Sequence, residues 1–345
     1  MELTAVPDLP EVGPGDDLAG LVADRVELET GDVVVVASTV VSKTEGRTAD
    51  LTDFPAGPRA REIAARTADA TGERKDPRFA QAVVEESTEL LMSVPFMLCE
   101  TRFGHVTVNA GIDRSNVPDA DLLLLPTTPS ESARRIRRRL LERTGIDGDR
   151  RSRPVDAGRA ESPAPTPTAD GAGSASGRDA AGLGGETPDG VDGLGVVVSD
   201  TSGRPFRTGQ RGVAVGWAGL PPTRDWRGDP DRDGRTLEVT VEAVVDELAA
   251  AANLVAGEGD GGTPVVVVRN WRFGDHEGGE RLFRDVDGDF VRQALRDWWY
   301  DPDRVPGVED HLAPVETDAS RGESVESDGE RGPATTATGT EERER

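Results

Sequence analysis

Three stretches of the 345-residue chain place oxygen-bearing side chains at the end of an apolar segment. One is Ala110-Gly111-Ile112-Asp113-Arg114-Ser115-Asn116. A second is VVVSDTSGRPFRTGQRGVAVGWAG (Val196–Gly219), with Asp200 and Thr201 where an apolar strand meets a loop. The third is Ala256-Gly257-Glu258-Gly259-Asp260-Gly261-Gly262-Thr263. Carboxylates and a hydroxyl without His or Cys company suit a hard divalent cation, Mg2+ or Mn2+, bridging phosphate oxygens. Phosphoryl transfer is mostly positioning and charge neutralisation, which such a set supplies. Arg204, Arg207 and Arg211 follow Asp200 and can face an anionic substrate. Taken alone, Val196–Gly219 reads equally as a hairpin with a capped turn, and the glycine run as a flexible helix stop.

Other chemistries lack their residues. Gly257, Gly259 and Gly262 match GxGxxG by letter, but a helix precedes them and a strand follows, the reverse of the dinucleotide fingerprint. Their backbone N–H groups can still approach phosphates, with Glu258 placed to reach a metal. There is no GxxxxGK[ST] and no GxSxG, and His105, His276 and His311 form no zinc spacing, so they read as surface or incidental. Cys99 is the sole cysteine, which excludes an internal disulfide and any multi-cysteine metal site. It sits beside the apolar run Val94–Leu98 and reads as a buried, inert thiol. Lysine survives only at Lys43 and Lys75. Lys43, between a buried strand and Glu45-Gly46-Arg47, suggests a need for a compact ammonium, which a nucleotide phosphate would supply. Lys75 lies in an unremarkable loop.

The chain carries 65 acids against 40 bases, a formal net charge of -25. An acidic, lysine-poor surface suits very high ionic strength, the bias of proteins from salt-loving archaea, and argues against a nucleic-acid partner. No stretch approaches the roughly 18 apolar residues that span a bilayer. With no signal-peptide pattern at the start, a cytoplasmic location without membrane contact is expected.

The elements that must position these residues read as mixed α/β. Leu18–Val26 has helical spacing, and Val33–Ala37 is a buried strand delivering Ser38-Thr39 and a loop through Arg47. Pro58–Ala70 and Pro77–Leu91 read as helices, the second ending in the acidic patch Glu85–Glu89, a solvated face. Val94–Cys99 and Val106–Asn109 read as paired strands, and Leu122–Leu125 as another. Thr128-Pro129-Ser130-Glu131 is a capping box opening a helix rich in arginine, from Arg134 to Arg139, which reads as solvated or dimer-facing. Leu237–Val241 is a strand or the start of a helix running to Val255, and Pro264–Val268 is a buried strand. Phe290–Trp299 is a last amphipathic helix. Residues 150–192 and 313–345 have almost no large apolar residues and read as a disordered insertion and a disordered acidic tail. The core is then 1–149 plus 193–312.

LPEV (Leu9–Val12), GDD (Gly15–Asp17), STVVSKTEGR (Ser38–Arg47), VNAGIDRSNV (Val108–Val117), SDTSGRPFRTGQRGVAVGWAG (Ser199–Gly219) and NLVAGEGDGGTPVVVVR (Asn253–Arg269) stand in an order that resembles the coenzyme F-420:L-glutamate ligase family. The resemblance covers about residues 1–147 and 193–300. It implies a family-specific α/β fold of two interleaved subdomains, an intertwined homodimer, and GTP with two divalent ions, K+ being a further candidate. It implies Asp113 and Asp200 as ligands of one metal, and Thr201 and Glu258 of the other. GTP contacts would be Leu9, Pro10, Glu11, Val12, Ser38, Thr39, Lys43, Asn116 and Ala256 through Thr263. Lys43, Asp113 and Asp200 would carry catalysis. The implied reaction joins L-glutamate, then a second glutamate through a gamma linkage, to the lactyl-phosphate side chain of a deazaflavin. A metal-dependent nucleotide phosphohydrolase is the alternative for the same carboxylates.

Overall fold

In the computed structural model the valine runs become the centre of a five-stranded sheet. The structure describes residues 1–115, 117, 119–148, 191, 193–259, 261–274 and 276–300, the last five as backbone only. Asn116, Asp260, His311, nearly all of the 150–192 insertion and the 313–345 tail lie outside the described residues.

The chain opens with β1 (Glu2–Ala5), α1 (Leu18–Ala23), β2 (Val33–Ala37), α2 (Ser38–Thr44) and β3 (Thr48–Ala49). Next come α3 (Pro58–Thr71) and α4 (Pro77–Glu85), then the meander β4 (Ser87–Met92), β5 (Leu98–Thr101) and β6 (Val106–Val108). The first part closes with β7 (Leu122–Leu123) and α5 (Pro129–Thr144). The second part begins with β8 (Gly195–Arg204), β9 (Arg207–Ala218), β10 (Thr223–Asp225) and β11 (Val241–Glu242). It ends with α6 (Val244–Ala256), β12 (Val265–Arg269), β13 (Gly278–Gly279) and α7 (Phe290–Tyr300).

The main sheet has the order β1-β12-β2-β8-β9. Only β2 and β8 run parallel, from Val33 opposite Gly195 to Ala37 opposite Ser199, so strands from both parts of the sequence share one sheet. Strands buried on both faces explain the unbroken valines. Val34, Val36, Val196, Val198 and Val267 pack against α1 and α5; Val33, Val35, Val197, Val266 and Val268 pack under α6. On β9, a Cβ at Gly216 would lie 2.3 Å from the Pro129 carbonyl carbon, so the bare backbone lets α5 close onto the sheet. A separate core joins α3, α4 and the meander through Ile63, Phe79, Val83, Met97, Cys99 and Leu122.

Several local expectations are corrected. Ser38–Thr44 is a helix, not a loop: Ser38, Val41 and Ser42 are buried, and packing overrides the weak helix propensity of Thr and Val. Helix α4 stops at Glu85, and Ser87–Met92 pairs with β5 as a strand, so Glu89 points at a partner instead of solvent. The capping box at Thr128 is not made; no side chain caps α5, and Glu131 pairs with Arg134. That helix spends arginines on the chain's own acids, Arg135 on Glu45, Arg139 on Asp17 and Arg143 on Asp24. Val241 belongs to a short strand, and α6 begins at Val244. His105 is buried, not superficial, among Phe103, Phe283 and the neighbouring Trp217.

Candidate active site

Asp200 stands within β8, not in a loop after it. Strand β9 extends the pairing as far as Arg204 opposite Arg207, which leaves only Pro205-Phe206 for the turn. A register shift between Val198 and Ser199 precedes the carboxylate, and such bulges re-aim side chains beside functional sites. Ser38, 3% exposed at the start of α2, donates its hydroxyl to Asp200 Oδ1 at 3.0 Å. The hydroxyl, serving the carboxylate from the neighbouring strand's end, fixes its orientation.

Asp113 follows β6 through a tight turn in which Asn109, Ala110 and Gly111 all have positive φ, 54°, 55° and 67°. The turn brings Gly111 against Asp200: a Cβ there would lie 3.4 Å from Asp200 Oδ2 and 2.4 Å from Leu125 Cδ1. Asp113 Oδ1 accepts from the Arg114 and Ser115 backbone N–H groups at 2.6 and 2.8 Å and from the Ser115 hydroxyl at 2.8 Å. Glu258, just past the end of α6, accepts from Asn253 Nδ2 at 2.8 Å and lies 3.3 Å from the Thr201 hydroxyl through either oxygen.

Asp200 feels the other two carboxylates. Burial pushes the Asp200 carboxyl up to about 6, and the charges of Asp113 and Glu258 push in the same direction against the Ser38 hydrogen bond. Among the described residues no ion pair reaches Asp113, Asp200 or Glu258. Nor are three His, Cys, Asp or Glu side chains gathered there into a ready-made metal cage. The donor chemistry nevertheless fits a hard divalent ion: hard oxygens, a hydroxyl, and mutual repulsion that a cation would relieve.

The other sequence-derived residues have partners or conformations of their own. Lys43, in the last turn of α2, is paired with Glu11 of the Leu9–Val12 segment. Thr39 lies one residue after Ser38 in α2. Ala256 ends α6, and Gly257 and Gly262 take φ of 74° and 64°. The Thr263 hydroxyl donates to Ala256 O at 2.9 Å and closes the glycine loop on itself. Arg211 is engaged elsewhere, 3.7 Å from Asp246, while Arg204 and Arg207 sit exposed at the hairpin tip. Asn253 escaped the sequence reading. Its signal is an amide in the last turn of an otherwise apolar helix, five residues before Glu258.

Two comparisons show the family. The family described as F420-0:Gamma-glutamyl ligase matches residues 8–149 and 191–270. The coenzyme F420:L-glutamate ligase of Halorubrum lacusprofundi is 60% identical over 301 residues, 87% of this chain and 100% of that protein. The protein of that name from Halobacterium salinarum is also 60% identical, over 87% of this chain and 99% of its own length. That from Archaeoglobus fulgidus is 41% identical over 86% of this chain and 98% of its own. The salt-adapted composition fits the haloarchaeal relatives, and the chain is a member of the F420-0:gamma-glutamyl ligase family.

Proposed function

We propose that the chain is a GTP-dependent ligase that joins L-glutamate to the lactyl-phosphate side chain of a deazaflavin coenzyme precursor. Asp200, buried without an ion pair and acted on by the charges of Asp113 and Glu258 from two other parts of the chain, carries this reading. Asp113 and Asp200 would hold one Mg2+ or Mn2+ ion and Thr201 and Glu258 a second, with phosphate oxygens completing each set and the ions offsetting charge between the β- and γ-phosphates. A bound K+ remains a further candidate.

The chain's own residues set the stage. Ser38 orients Asp200, the Arg114 and Ser115 amides orient Asp113, and Asn253 orients Glu258. Lys43 exchanges Glu11 for a phosphate oxygen when nucleotide enters, helped by Leu9–Val12, Thr39, Asn116 and the 256–263 loop. The substrate carboxylate attacks the γ-phosphorus, the bond to the β-phosphate oxygen breaks, and GDP leaves an acyl phosphate. The α-amine of L-glutamate attacks that carbonyl, phosphate departs, and the amine proton passes to solvent. Activation is required because amide formation from a carboxylate is uphill in water. A second round would activate the gamma carboxyl of the first glutamyl residue and join the α-amine of another L-glutamate to it, and the working form is proposed to be a homodimer.

The test is GDP release in molar salt with Mn2+ or Mg2+, with and without L-glutamate and the glutamate-free deazaflavin. Release that needs both, with a product heavier by one or two glutamyl units, is expected. Release indifferent to the acceptors would establish a nucleotide phosphohydrolase instead. Asp200→Asn should lower turnover by about 10^3 or more, the scale of losing a preorganised electrostatic element.

A further inference from the structure

Lysine occurs twice in this chain, and the second one, Lys75, lies in the loop its sequence suggests, between α3 and α4, but not as a free surface residue. Its side chain is half-buried between α3 and α4, with Nζ 3.5 Å from Asn109 Oδ1 and 5.7 Å from the Phe79 ring centroid. Arg114 approaches the same ring, its guanidinium carbon 5.8 Å from the centroid. Neither cation makes a salt bridge among the described residues. Glu73 acts on Lys75 and Asp76 on Arg114 only through space, and Asp76 is already forked by Arg78 at 2.7 Å. Burial holds the Lys75 ammonium below the usual lysine range, against the opposing pull of Glu73.

The backbone links this corner to the carboxylates. Asn109 and Ala110 are non-glycine residues in the left-handed region, a conformation concentrated at ligand clamps and sustained only where the surroundings impose it. Across that turn Asn109 meets Lys75 while Gly111 meets Asp200. Because Asn109 Oδ1 accepts from Lys75, its Nδ2 is left to donate elsewhere.

We propose that Lys75, Asn109 and Arg114 bind a carboxylate of an acceptor substrate beside the Asp113–Asp200 cluster. The ammonium and guanidinium supply charge, and the Asn109 amide supplies a directed hydrogen bond. Nucleotide phosphates are assigned above to Lys43 and the 256–263 loop, on other elements, so the free corner falls to the acceptor. The carboxylate has two sources, L-glutamate and the deazaflavin side chain. This inference rests on the ligase reading, and the experiment separates the two.

Steady-state kinetics are measured for Lys75→Met, Lys75→Arg and Arg114→Gln with each of the three substrates varied in turn. Lys75→Met is expected to raise KM for one acceptor about tenfold or more, with GTP KM and kcat within about threefold of wild type. The acceptor whose KM moves is the source of the carboxylate. Lys75→Arg, which keeps the charge, should fall between, and Arg114→Gln should move the same KM by less. Unchanged acceptor KM values, or a rise confined to GTP, would overturn the site. If the wild type makes no glutamylated product, the ligase reading fails on its own. Calorimetric titration of L-glutamate and of the deazaflavin into wild type and Lys75→Met then decides the site. Weaker binding by the variant supports it and equal binding overturns it.

Discussion

Glu89 on β4 and Glu100 on β5 lie directly opposite each other across the strand pair, where like charges repel. Between them the fold inserts Arg292 of α7, 3% exposed and hydrogen-bonded to both. Asp200 likewise lies within electrostatic reach of Asp113 and of Glu258, yet the described residues place no cation among them. The same device appears elsewhere: Asp32 is held by Arg269 at 2.7 Å and Glu242 by Arg224 at 2.8 Å. In a chain rich in arginine, carboxylates that serve the fold receive an internal cation. Under the proposed function, those around Asp200 would receive one from outside.

Breaking the internally neutralised pair should cost most. Arg292→Met removes the cation shared by two facing, partly buried carboxylates, and should lower unfolding free energy by about 3 kcal/mol. Denaturant melts at molar salt would show this, with activity per folded molecule unchanged because the described hydrogen bonds of the Arg292 side chain go to Glu89 and Glu100 and to none of Asp113, Asp200 and Glu258.

Asp200→Asn should have the opposite sign. The folded pKa of about 6 lies above the ordinary 3.8, so the ionised carboxyl destabilises the metal-free fold. That cost is fully present above pH 6 and vanishes below pH 3.8, where both states are protonated. The metal-free variant should therefore be more stable than wild type by about 1–3 kcal/mol at pH 7.5. Its advantage should shrink as pH falls through this window. Equal stabilities across the range would remove the contrast between the two acidic sets.

His105 sharpens the pH picture from the other side. Burial lowers its pKa to about 4, so the unfolded chain binds the extra proton first. Its contribution to stability is lost as pH falls from 6.5 to 4, and His105→Phe should remove that loss, up to about 3 kcal/mol. The smallest effect is expected at a surface pair. Arg139→Gln, which loses a 3.0 Å contact with Asp17, should change stability by about 0.2–1 kcal/mol and leave turnover alone.

Much of the frame is legible in the sequence because its signals are local. Unbroken valines announce β2, β8 and β12, the apolar period announces α6, and Gly257 announces its end. The oxygen-bearing residues around Asp113, Asp200 and Glu258 are legible as separate stretches. What the sequence leaves out is non-local. Ser38–Thr44 reads as strand and loop from its β-branched residues, and only burial of Val41 in the core makes it helical. Glu89 looks solvated until Arg292, 203 residues away, arrives beside it. The place of Lys75 depends on a turn at Asn109 whose positive φ no residue letter announces, since Asn-Ala-Gly is compatible with many loops.

The central claim, that the Asp200 cluster awaits an external cation, is tested most directly by thermal melting against Mn2+ concentration. Wild type and Asp200→Asn would be compared at pH 7.5 in molar salt with a non-hydrolysable GTP analogue present. Mn2+ should raise the wild-type midpoint in a saturable way and move that of Asp200→Asn little, because ligands that bind only the native state stabilise by mass action. Equal, saturable stabilisation of both proteins would contradict the account and place the cation elsewhere.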